Sequence, residues 1–264
     1  MTDFLNAENI ALSLSEKLKD KVLIKVFGKT DSTNSLVRSF AENGAEEGLF
    51  VVAGEQTAGR GRLGRSFYSP GDTGVYMSLL LRPEIKAAES VFITTAAAVA
   101  VCRALEECGA KAPEIKWVND IFVGGKKVCG ILTEASIDPS SNKLSYAVLG
   151  VGVNIYAPDS GFPEEIKNIA GAVFSERKEN LRNKFCAAFL SEFFDVYNNG
   201  MSLKSHTDEY IRRSIVIGKQ VSVISGDSVR SAFVDGITEN CELKVTYENG
   251  EKGVVSSGEV SLKI

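Results

Sequence analysis

Apolar residues recur along this chain with two different periods, and the changes of period outline its elements. Ile10, Leu12, Leu14 and Leu18 have helical spacing, which predicts a short helix over residues 6–18. Leu23 to Phe27 is a compact apolar run that predicts a strand. Asp31, Ser32, Thr33 and Asn34 then offer N-cap oxygens for a helix to about Asn43, where Gly44 stops it. Strands are predicted over residues 49–56 and 75–81, the second ended by Pro83. Residues 90–108 form an apolar stretch long enough for a buried helix. Short strands follow over 114–118 and 120–123, with Gly124-Gly125 as a hairpin turn, and longer ones over 128–137 and 144–155. Phe185, Phe189, Phe193 and Val196 share one face of a helix over 180–197, ended by Gly200, and a last helix spans about 207–213.

From Gly218 onward the period changes to short alternating strands, over 221–224, 231–237, 243–247, 253–255 and 260–264. Gly226-Asp227 and Asn249-Gly250 supply hairpin signals. This reads as a small C-terminal β-barrel over 218–264, attached to a larger α/β unit over 1–217. A chain of 264 residues can bury a core of that size.

Composition narrows the function classes. The net charge of -4 argues against a broad nucleic-acid or membrane-surface binder, so local basic clusters point to a small anion. No apolar run reaches 18 residues without interruption, because Thr94, Thr95 and Arg103 break the stretch from Val91 to Leu105, so no membrane span is expected. The amino-terminal residues lack a basic-then-apolar leader, and five cysteines with no CxxC pair fit reduced, buried thiols, so a cytoplasmic location is expected. The single histidine, His206, lies in a polar context that predicts a solvated or capping side chain. Chemistry therefore has to run on Lys, Arg, Asp and Asn, which favours nucleotidyl or phosphoryl transfer.

Four segments carry that chemistry. Gly59-Arg60-Gly61-Arg62-Leu63-Gly64-Arg65 packs three arginines and three glycines into a loop suited to closing over an anion. It also satisfies GxGxxG, but Arg65-Ser66-Phe67-Tyr68-Ser69-Pro70-Gly71 cannot cleanly start the helix that a dinucleotide site requires. A disordered basic loop is the plainer alternative. Lys116-Trp117-Val118-Asn119-Asp120 can hold a phosphate and its Mg²⁺, or make a surface Lys116–Asp120 ion pair. Lys126 to Glu134 puts lysines at the start of an apolar strand containing Gly130; they can face a pocket or discourage edge pairing. Gly150-Val151-Gly152-Val153-Asn154 places two glycines inside a strand, which something must approach closely, and Asn154 can read an adenine edge or bond backbone.

In this order and spacing the segments, with Asp31-Ser32-Thr33-Asn34 and Glu55-Gln56, resemble biotin protein ligases over about residues 25–155. The resemblance implies a class II synthetase-like catalytic domain with a mixed sheet backed by helices, and an SH3-like C-terminal barrel. It implies two steps: biotin attacks the α-phosphate of ATP to give biotinyl-5′-adenylate, and a lysine of a biotin carboxyl carrier domain then takes the acyl group. By resemblance, Arg62, Arg65 and Lys127 neutralise the reacting anions. Ser32, Thr33 and Gln56 bond the ureido ring, with Asn34, Gly59, Arg60, Gly130, Ile131 and Leu132 also on the biotin side. Phe67 stacks on adenine, Lys116, Asn119 and Asn154 serve the nucleotide, and Asp120 holds Mg²⁺.

Two departures stand out: Val118 occupies a position that is usually proline, and Phe67 one where some members carry tryptophan. Members that also act as repressors carry a DNA-binding domain ahead of the catalytic part, and here the first motif begins at Asp31, so a ligase without repressor function and without DNA as a partner is expected. Exposed strand edges leave a homodimer open. Lipoate ligase chemistry and RNA binding are the rival readings.

Overall fold

A computed structural model describes residues 3–198, 203–225, 228–256 and 258–262. The predicted turn Gly226-Asp227, the stop at Gly200 and the last two residues of the final strand lie outside the described residues.

The larger unit is built on a seven-stranded sheet in the order β1-β2-β3-β7-β6-β5-β4. Its strands are β1 (Leu23–Phe27), β2 (Leu49–Ala53), β3 (Gly74–Leu81), β4 (Glu114–Lys116), β5 (Asp120–Val123), β6 (Lys126–Ile137) and β7 (Leu144–Asn154). Only β1 and β2 run parallel; every other neighbouring pair is antiparallel. The sequence places helices on both faces. Helix α4 (Val91–Glu107) is apolar nearly all round, so it is buried by protein on almost every side; α5 (Leu181–Asn198) and α6 (Leu203–Arg212) pack beside it. Val75, Met77, Leu79 and Leu81 of β3 join that core, while Leu80 turns to the opposite face with Val51 and Val148, beneath α3 (Thr33–Glu42).

α3 begins at the expected caps, with Ser32 Oγ accepting from Ser35 N at 3.4 Å, and its chain reverses at Gly44, which has φ 86°. The expected first helix is instead two: α1 (Ala7–Leu12), capped by Asn6, and α2 (Glu16–Lys19), because Ser13 and Ser15 interrupt the run with side chains that favour caps over helix interiors. Upstream of them Asp3 is buried, its carboxylate accepting from Arg182 N at 3.0 Å and from Tyr156 Oη at 2.8 Å.

The C-terminal strands β8 (Gln220–Ser225), β9 (Ser228–Ile237), β10 (Leu243–Tyr247), β11 (Lys252–Val255) and β12 (Glu259–Leu262) form an antiparallel sheet in the order β11-β10-β9-β8-β12. Its inward residues Val221, Val234 and Leu243 are continuous with the core around α4. That contact corrects the reading of His206, which is fully buried rather than solvated. Its Nε2 lies 3.1 Å from Thr95 Oγ1 on α4, and burial together with Arg103 lowers its pKa to about 4, so the ring is neutral. All five cysteines are free, four of them buried.

Candidate active site

α3 covers only one end of its sheet face. The uncovered remainder is floored by strand positions that point the same way: Asp120, Gly130, Gly152 and Tyr76 pair across β5, β6, β7 and β3, and Leu132, Gly150 and Ser78 form the next row. Glycines occupy the middle of both rows because side chains from outside the sheet descend onto them. A Cβ on Gly150 would stand 2.1 Å from Asn34 Oδ1, and one on Gly152 would stand 2.6 Å from the Phe67 ring.

A cavity opens above this floor. Ser32, Thr33, Asn34, Gln56, Arg60, Arg62, Arg65, Phe67, Lys116, Asn119, Asp120, Lys127, Gly130, Ile131 and Leu132 all line it. The sequence reading named each of these. Gly59 and Asn154 do not appear in its lining: Gly59 packs under the backbone of Phe67, and Asn154 donates its amide to Gly171 O at 3.1 Å. The reading missed Met77 in the lining, and Ser78 and Glu134 just behind it; Trp117, Gly150 and Gly152, which also line the cavity, lay in segments it singled out but had no site role there. Ser78 had a signal, a lone hydroxyl inside an apolar strand; Glu134 had none beyond its place in the segment.

The inner wall is a neutral hydrogen-bond chain. Thr33 N and Oγ1 both donate to Gln56 Oε1, at 2.9 and 3.1 Å, and Gln56 Nε2 donates to Ser69 Oγ at 3.0 Å. Ser78 Oγ lies 2.6 Å from Asn34 Oδ1 and 2.8 Å from Thr33 Oγ1. Gln56 therefore faces the cavity in a fixed amide orientation, set by what Thr33 donates and Ser69 accepts.

The outer rim is charged. Lys127 Nζ sits 2.6 Å from Asp120 Oδ1, so the carboxylate holds this ammonium at the rim. Arg62 donates to Asn119 Oδ1 and to Gly258 O, both at 3.0 Å, which ties the arginine loop to the motif after β4 and to the C-terminal sheet. Trp117 Nε1 donates to Cys241 O at 2.7 Å, and Tyr210 Oη donates to Val118 O at 3.0 Å; the Trp117–Val118 peptide is cis. Arg60 Nη2 lies 2.8 Å from Glu134 Oε1.

The loop is a tight reversal. Gly61 N donates to Arg65 O at 2.7 Å, and Phe67 N donates to Gly59 O at 2.9 Å. Leu63 takes φ 54° at its tip, an unusual conformation for a side chain with a Cβ, and Gly64 follows at φ 74°. No dinucleotide-type helix follows it; the chain passes through Pro70 into β3. Tyr76 Oη donates to Pro70 O at 2.9 Å, and its ring meets Phe67 edge-on at 6.4 Å. Burial pushes the Tyr76 pKa up to about 12, so the phenol stays a donor.

No group of three or more His, Cys, Asp or Glu suited to a metal occurs among the described residues. Asp120 is a single half-buried carboxylate, and Asn119 Oδ1 is taken by Arg62. That donor set fits a Mg²⁺ carried in on phosphate oxygens, which needs one or two carboxylates, and does not fit a resident metal cage.

Residues 26–154 match the Biotin/lipoate A/B protein ligase family, and residues 216–263 match the biotin protein ligase C terminal domain. The bifunctional ligase/repressor BirA of Salmonella typhimurium is 31% identical over 252 residues, spanning 91% of this chain and 74% of that protein. The chain belongs to the biotin protein ligase family. BirA of Bacillus subtilis is 40% identical over 150 residues, 57% of this chain and 46% of that protein, so the matched part is about half that relative's length. An arginine-to-glycine variant of the biotin protein ligase from Aquifex aeolicus, solved in complex with biotin, superposes with a TM-score of 0.73 at 25% identity, covering 91% of this chain and 97% of that one. Family membership accounts for the expected mixed sheet backed by helices, which the structure has.

Proposed function

We propose that this protein activates biotin with ATP and transfers it to a lysine of a biotin carboxyl carrier domain. The observation that carries the reading is one cavity with a neutral, pre-bonded inner wall and a cationic rim. Biotin has that polarity: an uncharged ureido ring at one end and a carboxylate at the other.

In this reading Ser32, Thr33 and Gln56 meet the ureido group, and Gly130, Ile131 and Leu132 of β6 form the side of the slot. The carboxylate then reaches Arg60 and Lys127. Two anions brought to about 4 Å in a protein-like dielectric repel by about 4 kcal/mol, so the first step needs cations on both. Lys127 stands where one ammonium can serve carboxylate and α-phosphate together, once it exchanges Asp120 for them. Arg62 and Arg65 face the phosphates, Lys116 and Asn119 serve the nucleotide, and Phe67 supplies the face on which adenine stacks; Asn154, outside the lining with its amide given to Gly171 O, takes no part. Asp120 would hold the Mg²⁺ that accompanies ATP, which neutralises phosphate charge when bound.

A carboxylate oxygen attacks the α-phosphorus, the bond to the bridging oxygen breaks, and pyrophosphate leaves. The carrier lysine, as a free amine, then attacks the acyl carbon, AMP departs with the bonding pair, and the amine loses its proton. Arg62, fixed to Asn119 and Gly258, keeps the loop closed over the adenylate and water away from it. We also assign residues 1–217 to the catalytic domain and 218–264 to the C-terminal domain. Mass spectrometry of a carrier domain incubated with this protein, ATP, Mg²⁺ and biotin tests the reading. One biotinyl mass added at the target lysine supports it; an unmodified carrier, or modification by lipoate in preference to biotin, overturns it.

A further inference from the structure

Glu134 is the meeting point of two arginines from different parts of the chain. Its Oε1 lies 2.8 Å from Arg60 Nη2 of the loop and 2.6 Å from Arg38 Nη2 of α3. Its Oε2 accepts from Asn34 Nδ2 at 2.9 Å, so both carboxylate oxygens are engaged. Arg60 lines the cavity; Arg38 does not. The carboxylate is the more enclosed partner, with 16% of its side chain exposed against about 40% for each arginine.

An arginine meant for a substrate carboxylate gains nothing from a protein carboxylate already on it. Paired one to one, Arg60 and Glu134 are neutral together, and an incoming anion meets attraction and repulsion of similar size. Arg38 changes that balance. Two guanidiniums on one carboxylate leave a net charge of one positive, and the cavity wall is the side on which Arg60 presents it. The contact of Arg38 Nη2 with Oε1 also draws Glu134 toward α3, while Asn34 fixes the other oxygen, so the carboxylate cannot follow Arg60 into the cavity.

We propose that Arg38 is a positioning residue for the carboxylate end of the substrate: by sharing Glu134 it keeps Arg60 held in place and still positively charged toward the cavity. This rests on the reading of the substrate as biotin. Arg38 touches no reacting atom, and its effect is confined to ligands that carry a negative charge at that end.

The test measures binding of biotin and of its uncharged primary amide to the wild-type protein and to Arg38→Ala, Arg38→Lys, and the double variant Arg38→Ala with Glu134→Gln. Arg38→Ala is expected to weaken biotin by about three- to tenfold, the size of a partly solvent-screened charge interaction, and the amide by less than about twofold. Arg38→Lys keeps most of the wild-type affinity because the charge remains. The double variant recovers biotin binding toward wild type, since removing the excess negative charge makes Arg38 dispensable. Equal loss for both ligands in Arg38→Ala, wild-type affinity for biotin in that variant, or no recovery in the double variant overturns the proposal. Failure of the wild-type protein to bind biotin overturns the substrate reading and the proposal with it; wild-type affinity in Arg38→Ala overturns the proposal alone.

Discussion

At the inner wall of the cavity, Thr33, Asn34 and Ser78 are 3%, 5% and 0% exposed, and each is bonded to another side chain of the same wall. At the rim, the side chains of Arg60 and Lys127 are 40% and 31% exposed and are held by carboxylates, Glu134 and Asp120. The inner wall was completed by folding: its groups are desolvated, satisfied and oriented before any ligand arrives, so recognition there consists of adding bonds to a fixed pattern. The rim is held in a provisional arrangement, with counter-ions occupying places that reacting anions would take. Neutral recognition tolerates burial because hydrogen bonds satisfy it completely; cations left ready for an anion cannot be buried alone, and carboxylates beside them lower that cost.

The sharpest way to break this contrast is Lys127→Ala. Without the ammonium, biotin-dependent pyrophosphate release is expected to fall by about a hundredfold or more, while biotin binding at the inner wall changes far less. Equal losses in both would show that the rim is part of ground-state binding. Gly150→Ala attacks the other side. The new methyl group overlaps Asn34, so the Asn34–Ser78 contact must open, and biotin affinity is expected to drop about tenfold or more, with a lower thermal midpoint. Unchanged calorimetric affinity would mean the inner wall is not the ureido site. Arg62→Ala frees the loop from Asn119 and Gly258, and the adenylate should appear in solution several times faster than with wild type, read by chromatography of the filtrate. Ser78→Ala is the mildest. It removes a buried hydroxyl serving Thr33 and Asn34, at about 1 kcal/mol of folding stability by urea titration, with pyrophosphate release nearly as in wild type.

Much of this arrangement was legible in the sequence because local rules produce it. Ser32 reads as a cap and is one; the arginine-glycine run reads as an anion loop and lines the cavity; the paired glycines of β7 read as sites of close approach. What approaches those glycines was not legible, since the groups that descend on them are Phe67 and Asn34 of the chain itself, brought there by sheet register. The same limit hid Glu134, whose meaning depends on Arg38 lying 96 residues away in sequence. His206 misled for a related reason. Its neighbours Lys204, Ser205 and Asp208 look like a surface, and only the docking of the C-terminal sheet, with Cys241 Sγ 3.7 Å from Thr95 Oγ1, shows that the ring is covered.

Exchange of labelled pyrophosphate into ATP by the purified protein is the most direct measurement of whether the rim exists to let two anions couple. Exchange should require biotin, should not occur with the uncharged amide of biotin, and should nearly vanish in Lys127→Ala. Exchange that proceeds without biotin, or at the wild-type rate in Lys127→Ala, would contradict it.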